Sequence, residues 1–207
     1  MKRVEFNDIL YIYEKEISRN IKNKKKVYEF DCMKFQYLNY ICNVLNDDLY
    51  DGGKYNIFMV TYPKKRIVMS QSVYDKIINH YITKHILEPN LSKYLDDRNI
   101  ATRKGYGVSC GIKIIKKYFE ELKKDGTFYC LKIDINKYFY NINHQVLKEM
   151  LKEKLDSDEY ALISKIIDST NKPSINEMID KLKRKYNALD IPLYENGRGL
   201  PIGYSNF

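Results

Sequence analysis

The alternation of apolar and polar positions predicts a chain of mixed helix and strand without internal repeats. Segments with apolar residues at helical spacing lie at residues 7–20, 31–46, 72–87, 108–124, 143–154, 158–169 and 174–186. Segments that are rich in β-branched and aromatic residues, or that alternate with a period of two, lie at 55–62, 66–70 and 127–135. The predicted fold class is therefore α+β.

Turn-forming residues separate these elements. Asp51-Gly-Gly53 precedes the first strand, and Pro63-Lys64-Lys65 joins the first two strands into a hairpin with a basic tip. The basic run Lys22–Lys26 is predicted to be a solvated linker between the first two helices. The third helix is predicted to end before Pro89. The segment from Gly197 to Gly203 is predicted to be a rigid glycine-proline loop.

The predicted strand at 127–135 has one apolar face and one mixed face. The apolar face consists of Tyr129, Leu131, Ile133 and Ile135. Asp134 lies on the mixed face at the end of the strand. A carboxylate in such a place is costly to desolvate unless a cation or hydrogen bonds compensate it, so a divalent metal ligand is one interpretation. A helix cap or turn residue is the other.

Length and composition set broad limits on the protein. A chain of 207 residues suits one domain of mixed structure or part of a larger multi-lobed protein. No run of about 18 apolar residues occurs, and no apolar segment of a signal peptide is seen at the N-terminus, so we expect a soluble, cytoplasmic protein. The cysteines show neither CxxC nor Cys/His metal spacing, and we expect buried thiols at Cys32, Cys42, Cys110 and Cys130.

The net charge of +9 is concentrated in two segments. Residues 54–66 contribute +4 and residues 98–124 contribute +6, so the rest of the chain sums to about −1. Clustered Lys and Arg are typical of proteins that bind a polyanion, and counterion release makes such binding salt-dependent. A solvated basic surface is the alternative for each segment.

Several motifs then occur in one order from about residue 54 onward. They are Lys64-Lys65-Arg66-Ile-Val with Tyr74-Asp75-Lys-Ile-Ile, Arg103-Lys104-Gly105-Tyr-Gly107, Leu131-Lys-Ile-Asp134-Ile-Asn-Lys-Tyr-Phe139-Tyr-Asn-Ile-Asn-His144, and Gly199-Leu-Pro201-Ile-Gly203. Together they resemble the motifs of reverse transcriptases of the bacterial retroelement type, such as retron, diversity-generating and group II intron enzymes. The spacing from Asp134 to Phe139 and the Gly-Leu-Pro-x-Gly sequence carry most of the specificity.

The resemblance implies a right-hand polymerase fold with fingers and an incomplete palm, the thumb being absent. Its regions would be an N-terminal helical region at 1–50, fingers at 51–126 and a partial palm at 127–207. The implied activity is RNA-directed DNA synthesis, in which two Mg²⁺ ions assist nucleotidyl transfer onto a primer 3′ hydroxyl. The implied partners are an RNA template, a DNA primer and a deoxynucleoside triphosphate, and a structured RNA partner is left open.

The resemblance also implies roles for particular residues. Asp134 would be catalytic and bind metal together with the carbonyl of Ile135. Residues that would contact the incoming nucleotide are Lys65, Arg66, Phe139, Pro201 and Gly203, with Phe139 excluding a ribose 2′ hydroxyl. Residues that would contact the nucleic acid are Lys64, Arg103 and Lys104. Each has a structural alternative: turn solvation for the hairpin, core packing for Phe139, helix packing for Arg103 and an ordinary turn for Gly203.

In this family the other two metal-binding carboxylates come from a Tyr-x-Asp-Asp hairpin after the glycine-proline loop. The sequence ends at Phe207 before such a hairpin, so we expect the 207-residue chain to be inactive by itself. Tyr94-Leu-Asp96-Asp97 matches that motif by letters, but it precedes Asp134 and lacks flanking β-rich runs. We therefore interpret it as part of a linker and keep a permuted palm as the alternative.

Two other classes of function stay open. One is a non-catalytic module that binds RNA or an RNA–DNA duplex through the basic segments, for which salt-sensitive binding would survive loss of Asp134. The other is an assembly role in which a partner supplies the absent palm hairpin, for which exposed apolar surface would be a sign. Within the enzyme class, an antiphage polymerase with protein-primed or untemplated synthesis has much the same motifs.

Overall fold

The structure is a computed structural model that describes residues 2–101, 103 and 105–201. The chain forms two compact units. One combines the described residues up to Asn90 with those from Lys137 onward, and the other is Leu91–Asn136. The fold class is α+β, as predicted, with many helices and a two-stranded sheet. The region boundaries predicted from the resemblance stay predictions.

The first part of the larger unit is a group of packed helices. They are α1 at Phe6–Tyr11 with a π-helical continuation at Ile12–Ile17, α2 at Lys24–Asp31, α3 at Lys34–Asn46 and α4 at Val73–Ile82. Ile9, Leu38 and Ile78 are fully buried between them. The Glu16 carboxylate joins the first and fourth helices, because it accepts hydrogen bonds from Lys84 Nζ at 2.6 Å and pairs with His80 Nδ1 at 3.4 Å.

The predicted hairpin is confirmed. Strands β1 at Tyr55–Val60 and β2 at Arg66–Gln71 are antiparallel, with Tyr55 opposite Gln71 and Val60 opposite Arg66. Alternate residues of β2 face inward because side chains of a strand point to opposite faces. Ile67 and Met69 therefore join a buried cluster that also contains Ile175, Ile179, Ala188, Ile191 and Tyr194.

Of the six later helices among the described residues, the four long ones, near 108–122, 144–152, 157–167 and 173–185, agree with the sequence prediction within a few residues, whereas the four-residue segments at Glu88–Leu91 and Tyr138–Asn141 match no predicted helix. In chain order these helices are α5 at Glu88–Leu91, α6 at Val108–Leu122, α7 at Tyr138–Asn141, α8 at His144–Lys152, α9 at Ser157–Ile167 and α10 at Pro173–Lys185. The starts of α8 and α9 are set by side-chain caps. Asn143 accepts from Val146 N at 3.1 Å, and Asp156 accepts from Glu159 N at 2.8 Å in a capping box.

The prediction of a linker at Lys22–Lys26 was wrong. Helix α2 begins at Lys24, and the Asn23 side chain caps it by accepting a hydrogen bond from Lys25 N at 3.1 Å. Val27 and Phe30 are buried on its inner face. Two buried apolar side chains and a cap favour the helix, so the lysines occupy its exposed first turn instead of a loop.

The prediction that a helix ends before Pro89 was also wrong. After α4 the helix continues through a wide π-helical turn at Thr83–Leu87 into α5 at Glu88–Leu91. Pro89 is the second residue of that last segment. A proline lacks the amide hydrogen, and the π-helical turn directly before it already replaces the regular hydrogen-bond pattern of the α-helix at this place.

Residues 127–135 do not form the predicted strand. They are neither helix nor strand, and the side chains of the predicted apolar face are exposed, from 64% at Ile135 to 95% at Tyr129. A strand needs a neighbour for its backbone N–H and C=O groups. Among the described residues, the two strands of the sheet pair only with each other, so this segment has no ladder partner.

The prediction of buried thiols holds for part of the cysteines. Cys42 is buried in α3 and Cys110 is half-buried, whereas Cys32 and Cys130 are exposed. Burial raises the pKa of the Cys42 thiol, which keeps it protonated near neutral pH. Cys32 follows the last residue of α2, and Cys130 lies in the segment that forms no strand.

Candidate nucleotide and nucleic-acid site

The glycine-proline loop is tied by its backbone to the segment around Phe139. Leu200 N donates to Phe139 O at 2.7 Å, and Gly199 N donates to Ile142 O at 2.8 Å. Asn143 and Arg198 form an isolated antiparallel bridge beside these bonds. The two segments lie far apart in the sequence, and no local rule would join them. The structure thus brings together two of the motifs to which the resemblance assigned nucleotide contacts.

Gly199 permits this close approach. Its φ is +91°, a conformation that costs about 1–2 kcal/mol for other residues. A Cβ atom at this position would collide with the Tyr194 ring and lie 3.3 Å from Phe139 O. The Tyr194 hydroxyl donates to Leu200 O at 3.0 Å, and its ring stacks on Tyr140 with centroids 4.9 Å apart. The loop is therefore held by backbone hydrogen bonds to the Phe139 segment and by contact with the Tyr194 ring.

Phe139 is partly exposed, with 47% of its surface accessible to solvent. Its ring packs edge-on against Tyr138 with centroids 5.5 Å apart. A fully buried ring would favour the core-packing alternative, whereas this ring has a surface that a ligand can contact. Pro201 is buried at the end of the described loop. Gly203, the last residue of the motif, lies outside the described residues.

The Gly199 carbonyl is held by two buried side chains to which the sequence prediction gave no role. Thr170 Oγ1 donates to it at 2.8 Å, and His144 Nε2 lies 2.7 Å from it. Both side chains are almost fully buried. His144 stands at the end of the palm motif and is the first residue of α8, directly after the Asn143 cap. Its place in the motif was the available signal. Thr170 had no such signal.

Asp134 and Ile135 belong to the other unit, Leu91–Asn136, and are described by themselves. Both are exposed, and Asp134 Oδ1 accepts a hydrogen bond from Ile135 N at 3.0 Å. This contact goes to the next residue of the chain and occupies one oxygen of the carboxylate. An exposed carboxylate is also accessible to a cation, so the geometry allows both interpretations. The metal contacts of Asp134 and Ile135 stay predictions.

The described residues would contribute one carboxylate, that of Asp134, to the Mg²⁺ site that the resemblance implies. Within the ranges 2–101, 103 and 105–201, no three His, Cys, Asp or Glu side chains come together as a group that could hold a metal ion. Mg²⁺ is bound through oxygen ligands, including carboxylates. Asp134 offers one such carboxylate.

The basic tip of the hairpin is partly engaged with the rest of its unit. Lys65 Nζ donates to Tyr186 O at 2.8 Å and to Asn187 O at 3.0 Å, just beyond the end of α10. A cation is favourable there because carbonyl groups at a helix C-terminus are unpaired and the helix dipole is negative. Lys65 therefore has a structural role. To contact a triphosphate, its ammonium group would have to give up or share these two hydrogen bonds. Lys64 and Arg66 are exposed.

Arg103 holds its own loop in the smaller unit. Its Nη1 donates to Asp96 O at 2.9 Å and to Asn99 O at 3.3 Å, and its guanidinium lies 4.2 Å from the Tyr106 ring centroid. Lys104 lies outside the described residues. On α6, Lys113, Lys116 and Lys117 are exposed, so the basic segment at 98–124 presents cations to solvent.

The Tyr94-Leu-Asp96-Asp97 sequence is not a catalytic hairpin in this structure. Its first residue, Tyr94, ends a short 3₁₀ turn at Ser92–Tyr94, and no described residue from 95 to 107 is in a strand. The Arg98 guanidinium donates to both Asp96 oxygens, at 2.8 and 2.6 Å. These hydrogen bonds hold the pKa of Asp96 well below its usual range. The linker interpretation agrees with this geometry.

The comparisons with known proteins add no family to this picture. No protein-family model matches the chain, and the search of curated proteins gives no significant match. Among the residues that the structure describes, none of the helices has the length and apolar character needed to cross a bilayer.

Proposed function

We propose that the chain is the fingers and part of the palm of an RNA-directed DNA polymerase of the bacterial retroelement type. The observation that supports it best is the backbone hydrogen bonding between Phe139 and the Gly199–Pro201 loop, with Leu200 N 2.7 Å from Phe139 O. Both segments were assigned to the nucleotide by their resemblance alone. Their adjacency is what a shared nucleotide site requires.

In this proposal the chain's residues bind and orient the substrates. The Phe139 ring and the Gly199–Pro201 backbone would form the surface under the nucleotide, Arg66 would face its triphosphate, and Lys64 and Arg103 would contact the nucleic-acid backbone. Asp134 would supply one ligand to Mg²⁺. The substrates would be an RNA template, a DNA primer and a deoxynucleoside triphosphate. A position held by backbone hydrogen bonds suits such orientation because it costs no rearrangement during the reaction.

The test is magnesium-dependent primer extension on an RNA template. Three proteins are compared: the 207-residue chain, a version extended to the native stop codon, and the extended version with Asp134→Asn. We expect extension only by the extended protein with Asp134 intact. A matched control is Asp97→Asn, which changes an acid of the Tyr94-Leu-Asp96-Asp97 sequence. Equal loss in both Asn variants would contradict the role given to Asp134.

The second candidate is a non-catalytic module that binds RNA or an RNA–DNA duplex. The exposed lysines of α6 and the exposed Lys64 favour it, since they present cations in the two basic segments. Each phosphate neutralised by Lys or Arg releases counterions, so affinity would fall steeply with salt. If the extended protein is inactive with every template, but RNA binding is retained, salt-sensitive and indifferent to Asp134→Asn, this candidate replaces the polymerase.

A further inference from the structure

His144 is a buried histidine whose two ring nitrogens both lie beside hydrogen-bond acceptors. Nε2 is 2.7 Å from Gly199 O, and Nδ1 is 3.2 Å from Asp168 Oδ1. Only 2% of the residue is exposed. A carbonyl oxygen can only accept, so the contact at Nε2 is a hydrogen bond only if Nε2 carries a proton. The geometry therefore selects the ring nitrogen that faces the loop as a donor.

Asp168 holds the ring in this orientation. Its Oδ1 faces His144 Nδ1, while its Oδ2 forms a short ion pair with Lys148 Nζ from the next turn of α8. The Asp168 carboxylate can only accept, so its contact with the ring is a hydrogen bond when Nδ1 also carries a proton, while the Lys148 ammonium holds the other carboxylate oxygen. This arrangement matches the general rule that the orientation of a histidine is set by the contact of its second nitrogen.

Both backbone groups of Gly199 are held by hydrogen bonds. Its N–H donates to Ile142 O, and its carbonyl is contacted by His144 and Thr170. His144 N also donates to Gly197 O at 2.9 Å. The Gly199 carbonyl and the Leu200 N–H belong to the same peptide group. Rotation of that group would therefore break the hydrogen bond from Leu200 N to Phe139 O, which joins the loop to Phe139. His144 controls that rotation from the buried side.

We propose that His144 is the positioning residue of the Gly199–Pro201 loop, donating from Nε2 to the Gly199 carbonyl while Asp168 and Lys148 orient its ring. Its link to nucleotide binding rests on the proposed function, in which this loop lies under the nucleotide. His144 itself touches neither substrate nor reacting atoms. It acts through the loop backbone, and this effect can be measured without any enzymatic activity.

Two substitutions separate the two ring contacts. In His144→Gln the side-chain amide can take the place of Nε2 and donate to Gly199 O. In His144→Asn the shorter amide can replace only Nδ1 and cannot reach the loop carbonyl. Net loss of one buried hydrogen bond corresponds to a several-fold to about tenfold change in a local equilibrium, and the Gly199 carbonyl still accepts from Thr170 Oγ1 in both variants. His85→Asn is the matched control, since that histidine stacks on Tyr81 away from the loop.

The measurement is hydrogen exchange of the Gly199 and Leu200 amides in the 207-residue chain. We expect about tenfold faster exchange in His144→Asn and near wild-type exchange in His144→Gln and His85→Asn. Equal rates in all proteins, or equally fast exchange in both His144 variants, would overturn the proposal. A measurement on the unmodified chain guards against misfolded variants: ¹⁵N NMR must show a protonated Nε2 at His144, and an unprotonated Nε2 would overturn the proposal as well.

The outcomes for the loop and for the polymerase are distinguishable. Altered exchange in His144→Asn together with an inactive extended protein would retain the positioning role and reject the proposed function. In an active extended protein, the same substitution should raise KM for the nucleotide about tenfold, whereas His144→Gln should restore it. A fall in kcat alone with KM unchanged in His144→Asn would contradict positioning of the nucleotide by this loop.

Discussion

Gly199 shows how a single residue can decide the geometry of a site. Its positive φ and its contact with the Tyr194 ring leave no room for a side chain, and its two backbone groups are both hydrogen-bonded. Gly197 shares the positive φ, at +72°, but a Cβ atom there would meet nothing within 4 Å. The two glycines of one loop therefore differ only in packing.

This difference makes a prediction at the scale of residues. Gly197→Ala should cost about 1–2 kcal/mol of the free energy of unfolding, because alanine strains the backbone. Gly199→Ala adds the collision with Tyr194 and should cost about 2–4 kcal/mol. Urea unfolding followed by circular dichroism measures both. Equal losses would mean that the Tyr194 ring moves aside, and the tight packing of the loop would then be wrong.

Helix α6 differs from the other long helices at the scale of elements. It has an apolar stripe with the spacing of a helix face, formed by Val108, Ile112, Ile115, Phe119 and Leu122. All five side chains are exposed by 39% or more, and Gly111 is the buried residue of the helix. In α4, by contrast, Ile77 and Ile78 are fully buried. An amphipathic pattern predicts a helix, but it does not say whether the apolar face is covered.

A matched pair of substitutions tests this contrast. Ile78→Ala should cost about 2–5 kcal/mol of the free energy of unfolding, because it leaves a cavity in a packed core. Ile115→Ala should change it by no more than about 0.5 kcal/mol, since its side chain is 53% exposed. Chemical denaturation compares the two. A loss of 2 kcal/mol or more for Ile115→Ala would show that the stripe is covered in solution.

The whole molecule is divided unevenly into its two units. The larger one holds every member of the buried cluster around the hairpin and the packed helices α1 to α4. The smaller one, Leu91–Asn136, has few buried side chains and ends in a segment without helix or strand. Segments with few buried apolar contacts open first under native conditions.

We therefore predict where limited proteolysis begins. Trypsin should cut first after Lys132, which is exposed in a segment without secondary structure, and only later after Lys76, which is half-buried within α4. The order of fragments read by mass spectrometry checks this. Initial cleavage within α3 or α4 would contradict the burial that the structure gives to the larger unit.

Much of this fold was accessible from the pattern of the sequence. Apolar spacing located the hairpin and most of the helices within a few residues, because burial of one face dominates the stability of such elements. The errors had local causes. The lysines from Lys22 to Lys26 predicted a linker, but burial of Val27 and Phe30 favours a helix that begins at Lys24. Pro89 predicted a helix end, but a helical segment begins one residue before it.

The sequence by itself determined the α+β class, the hairpin, most of the long helices and the motifs that nominate Asp134, Phe139 and the Gly199–Pro201 loop. Only the tertiary structure decided that Phe139 and this loop share hydrogen bonds, that Lys65 caps a helix and that Tyr129 to Ile135 form no strand. The physical reason is that a helix forms hydrogen bonds and an apolar face between residues three or four positions apart, so nearby residues predict it. Strand pairing and buried polar contacts depend on partners far away in the chain, which local patterns do not specify.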